Sequence, residues 1–389
     1  MLHMHMTYKT MLKGAARMAL SCLTLLGAML PVACVYEQIP EAYDEADTYI
    51  HLNLISSETS TRGVSDEHQG TVDENTITSL RVWAFDADSK SVGGTALCYK
   101  EETALNATTG LHTFTMKLPR MTGGTPLKKI DLYILANAES GSNLTTPADN
   151  RQLTRQALQE KVVSESFGLN TQGDPQCVVV PGKGLPMSRI VEDIPIDRYV
   201  TEDPSVTNPT INIPLTRAVS KLHFFFSRRS NAGTDQVEVT GIEVGAGTVP
   251  DASLVFPLPV PFASPVPADL TDTRNYTDYV AYPVRRTGSI KAANIPEVEN
   301  PKSLVRGSAE DAEAYMARLA NAGMSSHYLT YLRETDKEVP ITIRYRLSEG
   351  GSEKSATVNV VAGDLRRNHE VVVYGYFLEG GLLAGEPQV

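Results

Sequence analysis

The sequence predicts an all-β protein with minor helices, organised as two β-sandwich domains in tandem. Three observations carry this expectation. Short segments of alternating apolar and polar residues recur along most of the chain. Turn-forming residues separate them at strand-length intervals. A proline-containing stretch at 200–214 divides two strand-rich blocks and places a boundary at residue 212, giving domains 48–212 and 213–389.

Residues 1–33 read as a signal peptide. Lys9, Lys13 and Arg17 precede an apolar run from Ala19 to Ala33, and no acidic residue occurs before Glu37. A run of that length suits an export signal and is short for a permanent membrane span. The segment Leu30-Pro31-Val32-Ala33-Cys34 resembles a lipobox, although the usual leucine stands one position nearer the cysteine. Cys34 is therefore the expected lipidation site. An ordinary cleaved signal, or acylation at Cys22, are the alternatives. Residues 34–47 are rich in Glu and Asp and read as an acidic tether, solvated and extended by its own charge.

Removing the leader takes away three positive charges, so the net charge moves from −11 to −14. Such a body offers no general phosphate-attracting surface, and nucleic acid is not an expected partner. Beyond Cys34 only Cys98 and Cys177 remain, and their spacing leaves open whether they pair.

The expected strands follow in order. YIHLNLIS places Ile50, Leu52 and Leu54 on one face and His51 and Asn53 on the other. SLRVWAFD sets Leu80, Val82 and Ala84 against Arg81, Trp83 and Phe85. DADSK at 86–90 reads as a hairpin turn, LHTFTMKL as a further strand, and KIDLYILANA, apolar on both faces, as a central one. Gly182, Gly184 and Pro186 mark a turn. In the second block, SKLHFFFS aligns Leu222, Phe224 and Phe226, and QVEVTGIEVG alternates until Gly241, where a bulge is expected. Val339, Ile341, Ile343, Tyr345 and Leu347 form one arm of a hairpin, with Gly350-Gly351 in its turn and Ala356, Val358 and Val360 returning. HEVVVYGYFLEG closes the set. Two helices are expected, over 149–166 with Leu153, Ala157 and Val162 in a stripe, and over 307–323 with Ser308 as N-cap and Gly323 near the C-cap.

Motifs for chemistry are missing from this sequence. His51, His68, His112, His223, His327 and His369 are isolated, and neither a His-Glu-x-x-His nor a paired Cys-x-x-Cys pattern occurs. There is no G-x-S-x-G elbow and no phosphate-binding loop. Catalytic residues, metal ligands and cofactors are accordingly expected to be none. The abundant carboxylates leave a glycosidase-like pair open, without a nucleophile and base to support it.

Several segments together resemble the Bacteroidetes-type fimbrillin family with its minor and anchor subunits. They are CVYEQIPE after the leader, ITSLRVWAFDADSKSVGG with IDLYILANAES, LPMS at 185–188, IPLTRAVSKLHFFF, and GDLRRNHEVVVYGYF near the C-terminus. The resemblance covers most of the mature chain in the family's order. It implies transthyretin-like sandwich domains and a structural, non-enzymatic role in a surface fimbrium, with other fimbrial subunits as partners. It also implies the outer membrane as anchorage through the lipid, and receptors on host or bacterial surfaces as further partners.

The resemblance further implies assembly by strand exchange: a trypsin-like protease cuts an early loop, the first strand leaves, and a neighbour's strand fills the groove. Arg62 is the only Lys or Arg between Cys34 and Arg81, and it lies in a polar loop with Gly63. Cleavage is expected at Arg62-Gly63, with the strand bearing Ile50, Leu52 and Leu54 displaced; a merely solvated Arg62 is the alternative. GLLAGEPQV after Gly380 is one strand's worth of chain, which favours a tip, accessory or anchor subunit over a shaft subunit. A second reading is a surface lipoprotein that binds glycans. Its aromatic platform would have to come from Trp83, Tyr133, Tyr374 and Tyr376, which sit on expected strands.

Overall fold

The computed structural model describes residues 48–56, 72–105, 111–138, 152–163, 184–263, 289–298, parts of 307–318, and 328–384, less a few positions within these stretches. The first strands are β1 (Thr48–Ile55), β2 (Leu80–Asp86), β3 (Cys98–Glu102), β4 (Leu111–Leu118), β5 (Met121–Thr122), β6 (Thr125–Pro126), β7 (Lys129–Ala136) and β8 (Val162–Val163). Next come β9 (Met187–Pro195), β10 (Val200–Thr201), β11 (Thr210–Pro214), β12 (Thr216–Arg217), β13 (Ser220–Arg228), β14 (Glu238–Val244), β15 (Ser253–Leu254) and β16 (Val260–Pro261). The series ends with β17 (Ile290–Lys291), β18 (Tyr328–Leu332), β19 (Val339–Arg346), β20 (Lys354–Val360), β21 (Glu370–Leu378) and β22 (Gly381–Ala384). The expected all-β class is what the chain adopts.

Four sheets carry most of the structure. In the first, β1 lies between β4 on one side and β10 and β11 on the other. The second runs β12-β9-β7-β2-β3. Inward residues of these two sheets share one apolar core, in which Ile50, Leu52, Leu54, Phe114, Met116, Ile211 and Ile213 meet Leu80, Val82, Ile130, Leu132, Ile134 and Ile194. The third and fourth sheets, β18-β13-β21-β22 and β17-β14-β19-β20, enclose a second core around Phe224, Phe226, Val371, Val373, Ile341, Ile343 and Val358. Strand alternation is what builds both, since every second residue of each strand points into the same interior. The bulge expected at Gly241 is present, between Val239 and Gly241 against β19. The β19–β20 hairpin is in the expected register, with Gly350 at φ +68° in its turn.

β2 and β7 have no polar face because the second sheet is covered on both sides. Trp83, Phe85, Tyr133, Leu135 and Ile190 form a third cluster with Val219, Val255, Phe256 and Tyr331. Trp83 packs against Tyr99 with ring centroids 5.1 Å apart.

The proline-rich stretch starting at Val249 turns back toward the first half of the chain. β15 pairs with β8, and β16 lies parallel to β9. The expected helix over 149–166 is correspondingly short. It occupies only Arg155–Gln159, capped by Thr154, whose hydroxyl accepts from Ala157 N at 3.1 Å. Val162, placed by the sequence in its apolar stripe, belongs to β8 instead. The β-branched pair Val162-Val163 is taken up by strand pairing with Ser253-Leu254, an option that helical periodicity does not reveal. The proposed caps of the 307–323 helix, Ser308 and Gly323, lie outside the described residues.

One polar knot fixes the end of β7. Asn137 is wholly buried with φ +55°. Its amide donates to the Thr76 and Leu185 carbonyls at 2.8 and 2.7 Å, and its Oδ1 accepts from Thr78 N and Thr78 Oγ1. Gly184 passes so close that a Cβ would stand 2.2 Å from Thr76 O, and its φ of +65° disfavours any other residue. Gly184→Ala is expected to lower stability by about 3 kcal/mol or more, and Asn137→Ala by a comparable amount, since it leaves buried carbonyls and an N–H unpaired. Denaturant titration measures both.

Candidate assembly site

The strand singled out by the sequence, β1, occupies the middle of its sheet. It pairs antiparallel with β4 along its whole length, from Thr48 opposite Leu118 to Ile55 opposite Leu111. On its other edge it runs parallel to β11 from His51 to Ile55 and antiparallel to β10 at Tyr49 and Ile50. Ile50, Leu52 and Leu54 are each 0% exposed and face the first core. Both backbone edges and one entire face of this strand are therefore sequestered by the remainder of the fold.

The outward face is polar and ordered. His51 Nδ1 lies 2.8 Å from Thr115 Oγ1, and His51 Nε2 lies 3.5 Å from Thr201 Oγ1. Thr201 donates its hydroxyl proton to the Asp203 carbonyl at 3.0 Å, so toward His51 it can only accept. That places the imidazole proton on Nε2 and leaves Nδ1 to accept from Thr115. Beside it, Asn53 donates to Asn212 Oδ1 at 3.0 Å and accepts from Thr113 Oγ1 at 3.1 Å. The ends of the strand are tied by Thr48 Oγ1, which donates to Leu118 O, and by Ser56 Oγ, which donates to Asn75 O.

Burial holds the His51 pKa below its ordinary value, because a buried imidazolium lacks solvation. The folded state then disfavours the protonated ring, so stability from this group is full above about pH 6.5 and is lost as the pH falls through that value toward the folded pKa. The protection factors of the β1 amides, taken relative to the intrinsic exchange rate at each pH, are expected to fall between pH 7 and 5 in the native chain. The fall should be smaller in His51→Asn, which has no proton to gain.

Where the chain re-enters the described structure, at the one-turn helix Val72–Asn75, it docks among buried charges. Glu74 accepts from the Tyr331 hydroxyl and lies 3.1 Å from Lys221 Nζ. Arg217 joins Asn75 Oδ1 to Asn368 Oδ1, the latter at 2.8 Å. Burial and the adjacent Glu74 carboxylate push the Tyr331 hydroxyl far above its usual pKa, keeping it a neutral donor. Glu74, Leu185, Arg217, Val219, Lys221, Tyr331, Asn368 and His369 surround a void large enough for one water.

Of the residues the sequence proposed, Ile50, Leu52 and Leu54 converge on this site, while Cys34, Arg62 and Gly63 lie outside the described residues, as do residues 1–47 as a whole. Cys98 is buried; Cys177 lies outside the described residues. Trp83, Tyr133, Tyr374 and Tyr376 are all buried, so none presents a face to a sugar. No group of three or more His, Cys, Asp or Glu side chains suited to a metal occurs among the described residues, and no described helix is long and apolar enough to cross a membrane. Sequence reading missed the burial of His51, which it treated as an ordinary strand histidine. It also missed Glu74 and Asn75, which carry no periodic signal.

Comparison with known proteins gives one family match. The model of the family described as major fimbrial subunit protein (FimA) matches residues 48–217. No curated protein matches the sequence. Among solved structures, the chain is similar to the tip fimbrial protein Mfa3 from Porphyromonas gingivalis with a C-terminal truncation, at 13% identity over 88% of this chain and 98% of that one, with a TM-score of 0.47. It is also similar to a fimbrial assembly protein from Parabacteroides distasonis, at 13% identity over 86% and 92% of the two chains, with a TM-score of 0.45.

Proposed function

We propose, from the premise that residues 48–217 belong to the major fimbrial subunit (FimA) family, that this protein joins its neighbours in a cell-surface fimbrium by exchange of β1. The role is structural and adhesive, not enzymatic. In this reading the chain is a minor subunit, exported by residues 1–33, lipidated at Cys34 and held at the outer membrane until processed. At the tip, cleavage at Arg62-Gly63 releases β1 together with Cys34, and a strand from another subunit takes its place; an anchor subunit would instead keep both Cys34 and β1.

The observation that supports this most is the position of β1. A strand inserted between two partners, with Ile50, Leu52 and Leu54 fully buried, leaves a groove when it departs. Exposing three such side chains costs roughly 5–9 kcal/mol, and the unpaired edges of β4, β10 and β11 add to that. An incoming strand recovers both contributions. The segment β22 pairs with β21 of its own chain, from Gly381 opposite Leu378 to Ala384 opposite Gly375, which supports a terminal or accessory position over one inside a shaft.

Limited trypsin treatment of the mature protein, followed by mass analysis and a polymerisation assay, tests the reading. Cleavage after Arg62 with loss of the β1 peptide and growth of oligomer ladders is the expected outcome. An Arg62→Ala chain should remain monomeric under the same treatment. Resistance of the 57–71 loop, or cleavage without oligomers, argues against exchange. Mass analysis of the membrane-associated form reports directly on acylation of Cys34.

A further inference from the structure

We propose that the slot around His51 sets the register of whichever strand lies between β4 and β11, and thereby selects the subunit that can join. This rests on the strand-exchange reading above. Alternation alone cannot fix the register of this strand. A shift by one residue turns every leucine outward, but a shift by two keeps apolar residues facing the core. The inner face carries Ile50, Leu52 and Leu54, which are alike in size and chemistry, and so distinguishes two-residue shifts weakly.

The outer face is not repetitive. Opposite Tyr49, His51 and Asn53 of β1 stand Lys117, Thr115 and Thr113 of β4. Only at His51 is the polar group fully buried, and there its two ring nitrogens span hydroxyls on both neighbouring strands, Thr115 on β4 and Thr201 on β10. A shift by two places Tyr49 opposite Thr115 with His51 beside Thr113, or Asn53 opposite Thr115 with His51 beside Lys117. In both cases the half-buried hydroxyls of Thr115 and Thr201 lose the imidazole that matches them, and the buried ring loses both of its partners. At Asn53 the polar contacts are open to water, which can replace a lost partner, so that position discriminates less.

The occupant that fits is a strand of a neighbouring fimbrial subunit with apolar side chains at the positions of Ile50, Leu52 and Leu54. At the position of His51 it carries a side chain that both donates and accepts a hydrogen bond. A strand with an apolar residue there takes the imidazole partner from the half-buried Thr115 hydroxyl and leaves the Thr201 hydroxyl with the Asp203 carbonyl, and it enters more weakly, in the manner of a buried polar residue that specifies register in a helical bundle.

The test uses the full mature chain after trypsin cleavage, with fluorescent peptides of residues 48–56 competing to replace the released strand. The peptides are the native sequence, His51→Val and Asn53→Val; valine preserves strand propensity, and Thr48 and Ser56 are kept in all three. The native peptide is expected to enter, His51→Val about 10-fold more weakly, and Asn53→Val within about 3-fold of native. In a chain carrying Thr115→Val and Thr201→Val the preference should reverse toward the His51→Val peptide. Equal entry of native and His51→Val peptides into the native chain overturns the register inference while leaving strand exchange intact. Failure of every peptide, the native one included, overturns strand exchange and this inference with it.

Discussion

Replacing Arg367 with methionine is expected to lower stability by about 3–5 kcal/mol, a fall in melting temperature of roughly 10 °C for a chain of this size. Arg367 is wholly buried and forms a two-pronged pair with Glu334, which is also buried; its Nε donates to Glu334 Oε1 at 2.9 Å. The remaining donors are used on the backbone of the returning segment, with Nη1 reaching Val255 O at 2.9 Å and Nη2 reaching Leu254 O at 2.6 Å. The guanidinium thus ties three stretches together: the loop before β21, the stretch after β18, and β15, which pairs with β8. Methionine fills much of the volume but leaves the Glu334 carboxylate buried and without its countercharge. The expected signature is therefore asymmetric. Glu334→Leu alone should also be severe, because it strands the arginine. The double variant Arg367→Met/Glu334→Leu should recover most of the loss, since two apolar side chains replace two desolvated charges. A double variant no better than the singles would mean that the backbone contacts of Arg367, and not the ion pair, carry its contribution. Chemical denaturation of the four proteins decides this.

Arg155→Ala is expected to be of similar size. Asp131 is fully buried at a bulge in the β7–β9 ladder, where register shifts between Ile130 and Leu132. Its carboxylate accepts from Arg155 Nη1 at 2.5 Å, from Lys90 Nζ at 3.1 Å and from Asp193 N at 2.9 Å. Arg155 also donates to Asp86 O at 2.6 Å and lies over the Phe85 ring, 4.6 Å from its centroid. Truncating it removes the buried countercharge and leaves half-exposed Lys90 as the cation nearest Asp131 among the described residues. A loss of about 3–5 kcal/mol follows, against less than about 1 kcal/mol for Lys90→Ala, whose ammonium is solvated in either state. Equal losses from the two substitutions would refute the assignment of the main contribution to the buried arginine.

These two sites illustrate how the sequence could be read and where it could not. β1, β2, β4, β7, β13, β19, β20 and β21 were legible because alternation is a property of four to eight consecutive residues. Even the two-sided burial of β7 was visible in its unbroken apolar run. The fimbrillin resemblance rested on the same segments, with Arg367 and Asn368 among them, and the family match over residues 48–217 bears it out there. The helix over 149–166 was misjudged in length because the competing partner of Val162-Val163, Ser253-Leu254, lies some ninety residues away. His51 was read correctly as a strand residue but not as a buried one. One of its partners, Thr201, arrives on β10 from 150 positions further on.

The sequence by itself determined the class of the fold and the main strands that build it. Both follow from local period. The tertiary structure alone decided that β1 sits between two partners and that His51 meets hydroxyls on both sides. It also decided that Glu334 meets Arg367 across 33 residues and Tyr331 meets Glu74 across 257. The physical reason is that a side chain's face is set by its own backbone, whereas the partner of a buried polar group is set by which distant segments the folded chain has already brought together.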